Sequence, residues 1–200
     1  VLDHAKRVGK KLLVSGGGKC NVTNRKISVD DYFGKDASFC KYALKRFSTG
    51  SILRILNQAG IETEERDFGR IFCKKSANEI VSYLYETSRN SGVHFFLNTS
   101  VSDVLYTTQF KVICKEGQFE SPNLLIATGG LAWTQIGDTN LGYQITRQFG
   151  HQILPVKPAL TGFILPLESP VSDLQGSILD LRPPIRGMDI RVEQPLLFHH

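Results

Sequence analysis

The sequence predicts an α/β fold that is followed by a stretch richer in strands. Apolar residues recur at helical spacing between residues 37 and 92, and short apolar runs between 93 and 127 are typical of strands. From residue 151 onward the helical spacing disappears and prolines interrupt short apolar runs. We therefore predict a first domain over residues 1–150, with its helical segment at 37–92, and part of a β-rich domain over residues 151–200.

The composition is that of a globular domain with a mild excess of positive charge. Of the 200 residues, 41% are hydrophobic and 22% are charged, and the net charge is +5. The basic residues are dispersed, so we expect a small-molecule substrate and no nucleic-acid partner. The four cysteines lack CxxC spacing and the five histidines lack metal-ligand spacing, so we expect no metal and a cytoplasmic protein. No apolar run reaches the roughly 18 residues of a membrane span, so we expect no membrane partner.

The most distinctive stretch is a run of three glycines, Gly16–Gly18, between a basic apolar lead-in and a polar tail. Consecutive glycines cost conformational entropy on folding, so they indicate positive φ angles or a close approach to the backbone. Side chains with hydrogen-bonding groups surround them, namely those of Ser15, Lys19, Asn21, Thr23 and Asn24. This chemistry suits a backbone that wraps an anionic or heteroaromatic ligand, although an ordinary glycine-rich turn explains the glycines alone equally well.

The same stretch contains Gly18-Lys19-Cys20, which imitates the end of a nucleotide-binding P-loop. The imitation fails because Leu13 stands where the first glycine is required, and because Cys20 replaces the Ser or Thr that binds Mg²⁺. We therefore exclude an NTPase. Cys20 lies beside glycines and Lys19, which favour a thiolate, so a redox-active thiol and a packed, inert cysteine both remain open.

Three helices are predicted after this stretch. Their apolar stripes, which we expect to be structural core, are Phe39, Ala43 and Phe47, then Ile52, Ile55, Leu56 and Ala59, then Ala77, Ile80, Val81 and Leu84. Gly60 and Gly92 end the second and third helices, and Ser76 and Glu79 have capping-box spacing. Residues 61–75, between these two helices, are expected to be extended, with a turn at 67–69.

Strands follow the third helix. Residues 101–106 and 110–114 flank a predicted hairpin connection, and a second turn follows at 116–117. Residues 124–127 form a continuous apolar run, which is typical of a strand that is buried on both faces. The run leads into Thr128, Gly129 and Gly130, and such a turn fits the carboxyl edge of an α/β sheet, where ligands bind. Residues 142–149 are predicted to form a further short helix.

The first and last residues of the sequence have the pattern of strands. Val1-Leu2-Asp3 has the pattern of the end of a strand, and 196–198 that of a strand that stops abruptly, so we expect a fragment of a longer protein. An acidic residue after the second strand of a dinucleotide-binding unit accepts hydrogen bonds from a ribose. Asp3 fits that role, although a surface turn aspartate explains it as well, and the accompanying GxGxxG is absent from these residues.

The stretch from Lys11 to Asn24 closely resembles the signature of the BaiN-like (YhiN-type) FAD-dependent oxidoreductases. Gly69–Phe72, Ile126–Gly130 and Gly142–His151 follow in the order that this family shows. Residues 196–200 resemble a later family segment, with His199 where a threonine is usual. The resemblance covers nearly the whole chain; its first motif is specific, whereas Ala-Thr-Gly-Gly is shared by many flavoproteins.

The resemblance implies an incomplete FAD/NAD(P)-binding Rossmann-like domain, followed by part of an inserted domain. It implies that Asp3 binds the ribose of the AMP half, that Val101 touches the adenine through its backbone, and that residues 15–21 lie along the flavin and its ribityl-pyrophosphate. The implied cofactor-binding residues are Asp3, Lys11, Ser15, Gly16, Gly17, Gly18, Lys19, Cys20, Asn21, Val101, Thr128, Gly129 and Gly130. Because the GxGxxG unit and the closing C-terminal segment are missing, we expect this chain not to hold FAD tightly.

The expected function is that of an FAD-dependent oxidoreductase. The resemblance implies that hydride passes from NAD(P)H through FAD to a small-molecule acceptor, so no separate catalytic triad is expected. Two alternatives remain open. One is an FAD-dependent RNA-modification protein, since related flavoproteins act on tRNA and the chain is basic. The other is a flavin-binding module without turnover.

Overall fold

A computed structural model of the chain describes residues 1–32, 36–132 and 139–156, together with the backbone of residues 178–179 and 196–197. The chain divides into two units, Val1–Ile153 and Leu154–His200. In order, the helices are α1 (Lys10–Val14), α2 (Lys41–Arg46), α3 (Thr49–Gln58), α4 (Ala77–Asn90) and α5 (Leu141–Gln148). The strands of the first unit are β1 (Asn21–Asn24), β2 (Thr63–Arg66), β3 (Arg70–Cys73), β4 (Val101–Tyr106), β5 (Phe110–Cys114) and β6 (Gly117–Ser121). The mixture of helices and small sheets agrees with the predicted α/β class, whereas the predicted domain boundary stays a prediction.

The first sheet joins the polar tail of the glycine run to the extended segment 61–75. Its order is β1-β3-β2, and both pairings are antiparallel. β2 and β3 form a hairpin whose connection, Asp67–Gly69, lies at the predicted turn. β1 pairs with β3 across a long sequence separation, with Asn21 opposite Phe72, and therefore holds the glycine run against the hairpin.

The second sheet is a three-stranded meander in the order β4-β5-β6; its first hairpin and the second turn were predicted, whereas β6 was not. Tyr106 pairs with Phe110 across the first turn, and Cys114 pairs with Gly117 across the second. The hairpin prediction is confirmed to the residue, because local alternation and turn residues decide such short antiparallel connections.

Each sheet has a core of its own. The first core contains Cys20, Leu56, Ile61, Cys73, Ala77 and Ile80, with Leu12, Leu13, Val22 and Ile52 packed against it. The second contains Val104, Val112, Cys114 and Ile145, with Val101, Phe110, Leu124 and Phe149 packed against it. The first core binds α3 and α4 to the sheet of β1–β3, and the second binds α5 to the meander.

The predictions for α3 and α4 are largely confirmed. Ser48 caps α3 through its side-chain oxygen, which accepts from the amide of Ser51, and Ser76 caps α4 by accepting from the amide of Asn78. The expected capping box does not close, since Oε2 of Glu79 is buried without a hydrogen-bond partner. Leu84 was expected in the core and is 48% exposed.

The prediction for the first helix is wrong in its burial. The segment forms a 3-10 turn at Ala37–Cys40 and then α2, but Phe39 is 89% exposed and Phe47 is 55% exposed. Helical periodicity identifies an apolar face; it does not reveal whether another element covers that face.

The prediction of a doubly buried strand at residues 124–127 is also wrong. Leu124 packs against the second core, but Leu125 is 87% exposed, and no described strand pairs with this run. A strand of this kind needs a neighbouring strand for its backbone groups, and none of the described residues supplies one. The first residues behave more as predicted, since Leu2 forms a parallel bridge with Phe96.

The second unit is described only by one short antiparallel pair, Ile178–Leu179 with Leu196–Leu197. Other apolar runs predicted there, such as 163–165, lie outside the described residues. Within the described parts of the chain, every helix is too short or too polar to cross a bilayer.

Candidate cofactor site

The glycine run forms a tight left-handed loop directly after α1. Gly16, Gly17 and Gly18 have φ values of 58°, 66° and 84°, and Cys20 follows with a φ of 52°. Residues with a Cβ atom rarely adopt positive φ values, so the run needs glycine for its backbone conformation, as predicted. The loop closes through the amide of Cys20, which donates to the carbonyl oxygen of Ser15 at 3.0 Å.

Gly16 is fixed by a second requirement, the close approach of an aromatic ring. A Cβ atom at this position would lie 2.7 Å from Cε1 of Phe72 and 2.9 Å from the backbone nitrogen of Asn21. Phe72 is 5% exposed, and the guanidinium of Arg66 lies over its ring, 4.4 Å from the centroid. The ring therefore joins the glycine loop to the β2–β3 hairpin.

An ion-pair network also joins the glycine loop to the β2–β3 hairpin. Nζ of Lys19 lies 3.3 Å from Oε1 of Glu64, and that oxygen also accepts from Nε of Arg66 at 2.9 Å. Hydrogen bonding from Arg66 is the main reason that the pKa of Glu64 lies below its ordinary value, and Lys19 adds to the effect. Lys19 was predicted to contact the cofactor; its ammonium group is used within the protein.

Cys20 is packed, in agreement with the inert alternative left open above. It is 3% exposed and shares the first core with Cys73, which has no exposed surface. Burial, together with the neighbouring Cys20 and Glu79, raises the pKa of the Cys73 thiol to about 11. Cys20 is therefore a residue of the first core in this structure.

Three other predicted residues surround the loop. Oγ of Ser15 donates to the carbonyl oxygen of Leu12 at 2.9 Å, and Lys11 lies exposed on α1. Asn21 is exposed and begins β1. The residues from 11 to 21 therefore form one local cluster, and their contact with a cofactor stays a prediction.

One strained residue beside this cluster carried no role in the sequence interpretation. Phe68 has a φ of 60°, which is rare for a bulky residue, and its side chain is 52% exposed. Its carbonyl oxygen accepts from Nδ2 of Asn24 at 2.8 Å, and the amide of Arg25 donates to Gly69 at 2.7 Å. Strain that is held in place by such contacts is typical of functional turns. In the sequence, the Gly69–Phe72 segment was the signal that could have pointed to this turn.

Asp3 is bound to the 96–99 turn, which ends two residues before Val101. The amide of Asp3 donates to Phe96, and the carbonyl oxygen of Asp3 accepts from the amide of Thr99 at 2.9 Å. Oδ1 of Asp3 accepts from the amide of Ala5, which is the geometry of a turn aspartate. The ribose-binding role of Asp3 and the adenine contact of Val101 stay predictions.

Thr128, Gly129 and Gly130 form an exposed turn that contacts the start of α5. A Cβ atom at Gly142 would overlap Oγ1 of Thr128, and a Cβ atom at Gly130 would lie 3.0 Å from the hydroxyl of Tyr143. Gly129 has a φ of 75°. The helix therefore approaches this turn as closely as two glycines allow, and α5 holds the turn in position.

Two glycines leave room for a ligand. A Cβ atom at Gly17 or at Gly129 would meet no protein atom within 4 Å, so the backbone at both positions faces open space. A flavin needs bare backbone of this kind along its ring and ribityl chain. The residues present therefore fit a flavin contact at the glycine loop and a second contact at the turn of residues 128–130.

Beside the second core, an open apolar groove of about 460 Å³ is lined by Tyr106, Phe110, Leu124, Ile126, Thr146, Phe149 and His151. None of the thirteen predicted site residues lines it, so the groove and the candidate site are separate features of the first unit.

Comparison with known proteins identifies the family to which the chain is similar. The HI0933-like protein Rossmann domain matches residues 1–179. The chain is 36% identical over 166 residues to a ribosomal RNA dihydrouridine synthase of Escherichia coli and 33% identical over 168 residues to that of Haemophilus influenzae, each match covering 82% of this chain and 42% of the relative. It is 31% identical over 162 residues to a 3-dehydro-bile acid delta(4,6)-reductase of Clostridium scindens, covering 80% of this chain and 39% of the relative. The chain thus spans about two fifths of the length of these curated relatives.

Proposed function

This chain belongs to the HI0933-like Rossmann-domain family, and from that premise we propose that it is the flavin-contacting part of an FAD-dependent reductase. The observation that carries the proposal is the left-handed loop at Gly16–Gly18. In this loop Gly17 faces open space, whereas Gly16 is fixed against the ring of Phe72, on which Arg66 packs. A loop that is held before the ligand arrives lowers the ordering cost of binding.

The residues have distinct roles in this proposal. Gly17 and Gly129 leave space for the cofactor, and Lys19 and Cys20 hold the loop rather than react. When bound, FAD supplies hydride transfer, with NAD(P)H as the proposed donor. The chain's contribution is then to orient the flavin and to keep the loop rigid.

The proposed acceptor contains an electron-poor carbon–carbon double bond. Two relatives are named for making dihydrouridine, which is uridine with two further hydrogens, and the third is named as a delta(4,6)-reductase. Both names describe the addition of hydrogen across a double bond. A small enone and a uridine in RNA are therefore the two candidate acceptors.

The test compares two glycines of equal backbone strain. Gly17 and Gly60 have φ values of 66° and 71°, and a Cβ atom at either would meet nothing within 4 Å. Alanine at either position should therefore cost similar stability. We expect Gly17→Ala to weaken FAD binding by about tenfold or more, since its methyl group fills the ligand space, and Gly60→Ala to leave binding unchanged.

FAD is titrated into the purified chain, and binding is followed by the quenching of flavin fluorescence. Equal losses in the two variants would attribute the effect to strain alone and would contradict the proposed contact. No binding up to about millimolar FAD would contradict it as well. The proposal that the protein turns over, rather than only binding flavin, requires NAD(P)H oxidation that depends on added FAD.

A further inference from the structure

The segment around α2 exposes large aromatic side chains. Phe39 is 89% exposed, Tyr42 is 77% exposed and Phe47 is 55% exposed. Within α2, Leu44 is the residue that turns toward the protein, being half-buried, while the others are exposed. Aromatic residues at this density on one short segment mark a binding surface, since exposed apolar residues are otherwise scattered singly.

The charges of the same segment are all positive, although Asp36 directly precedes it and Asp30 and Asp31 belong to a turn that contacts Ala37–Cys40. Residues 37–61 contain no Asp or Glu, whereas they contain Lys41, Lys45, Arg46 and Arg54, all of which are exposed. None of these four cations forms an ion pair with another residue of the described chain, although other cations, such as Lys19, do. The four charges are therefore available to an external anion.

Rings and cations alternate along one side of α2. Tyr42 and Arg46 are four residues apart, as are Lys41 and Lys45, so each pair is adjacent on the helix surface. Phe39 precedes Tyr42 by three residues and extends the row. We call this surface, formed by Phe39, Lys41, Tyr42, Lys45 and Arg46, the α2 face.

We propose that the α2 face binds single-stranded RNA. Unstacked bases pack on aromatic rings and on the guanidinium of Arg, while phosphates pair with Lys and Arg, and the α2 face supplies both kinds of group side by side. Duplex RNA hides the faces of its bases, and an acidic protein partner would leave the exposed rings without a matching surface. The inference rests on the RNA acceptor of the proposed function and assigns to it a surface outside the flavin site.

The experiment uses fluorescein-labelled oligouridine of about 12 nucleotides, and anisotropy is measured at about 50 and 200 mM salt without flavin. We expect Lys41→Glu/Lys45→Glu to weaken binding at least about tenfold at low salt and to flatten the salt dependence. Tyr42→Ala should weaken binding about fivefold or more with the salt dependence retained, and Tyr42→Phe should restore it.

The matched control is Lys74→Glu/Lys75→Glu, which changes the net charge equally. Lys74 and Lys75 both pair with Glu62, so they are exposed but compensated. We expect this variant to retain RNA binding. Equal weakening in both double variants, equal binding of duplex RNA, or no binding at low salt would each overturn the proposal. Because no flavin is present, these results are independent of the Gly17→Ala test, so either proposal can fail alone.

Discussion

Two adjacent stretches of the first unit use charge and aromatic residues in opposite ways. In residues 62–75 three of the four cations pair with carboxylates, and the fourth, Arg70, donates to the carbonyl oxygen of Asp67. The ring of Phe72 is buried between Gly16 and Arg66. In residues 37–61 the cations are unpaired within the described chain, and the rings of Phe39 and Tyr42 are exposed. The first stretch satisfies its own polar groups and fixes a loop, whereas the second leaves its groups for a partner.

The largest expected effect breaks the first stretch. Gly16→Ala places a methyl group against both the Phe72 ring and the backbone of Asn21, at a residue whose φ is 58°. We expect a loss of roughly 3 kcal/mol in the free energy of unfolding, which combines overpacking with left-handed strain. Urea denaturation measures it. A loss no larger than that of Gly60→Ala would show that Phe72 does not fix the loop.

The second effect compares thiols of the two stretches. Cys73 is fully buried with its pKa raised to about 11, whereas Cys40 is half-buried beside the α2 face. At pH 8 roughly one Cys73 in a thousand is a thiolate, and it is also inaccessible. We expect iodoacetamide to alkylate Cys40 at least about 100-fold faster in the native chain, as followed by peptide mass spectrometry. Cys40→Ser should remove the fast phase of alkylation. Comparable alkylation rates for Cys40 and Cys73 would contradict the burial of Cys73 in the first stretch.

The third effect concerns acid. The pKa of Glu64 lies below its ordinary value because of Arg66, so its stabilising contribution is present above pH 4.5 and is lost as the pH falls through the lowered pKa. Glu62 behaves in the same way because of Lys74. We therefore expect the thermal stability of Glu64→Gln to fall less than that of the unmodified chain as the pH is lowered below 4.5. Thermal unfolding at a series of pH values measures the difference. Glu86→Gln, on the exposed surface of α4, is the control, and an equal effect there would exclude a special role for the network.

The smallest effect is expected on the α2 face. Tyr42→Ala should change the free energy of unfolding by no more than about 0.5 kcal/mol, because the ring is 77% exposed. Phe72→Ala, which removes a buried ring of the first stretch, should cost about 3 kcal/mol, as does Gly16→Ala. A large loss of unfolding free energy in Tyr42→Ala would mean that this ring is part of the core. It would also remove the contrast between the two stretches.

Local patterns predicted much of this fold. The β4–β5 hairpin, α3, α4 and the turn at 67–69 depend on neighbours within a few residues, so periodicity, caps and turn residues were sufficient. Positive φ at Gly16–Gly18 was likewise a property of the run itself. The prediction of an α/β fold of the Rossmann family is confirmed by the match over residues 1–179.

What failed depended on distant partners. Phe39 and Leu125 are apolar in patterns that normally lead to burial, but burial requires a second surface that the pattern does not contain. The contacts of Lys19 with Glu64 and of Gly16 with Phe72 join residues about fifty positions apart, so spacing could not reveal them. The expectation of no nucleic-acid partner relied on the dispersal of basic residues over the chain; it stays a prediction, and the proposal for the α2 face departs from it.

The pairing of β1 with β3 has a consequence for the order in which the protein folds. Asn21 meets Phe72 only after the intervening chain has closed into a long loop, whereas the meander pairs strands joined by short turns. Non-local pairing is slow because loop-closure entropy is lost before the contacts form. During synthesis the glycine loop leaves the ribosome early and must wait, unformed, until Arg70–Cys73 emerge to complete it.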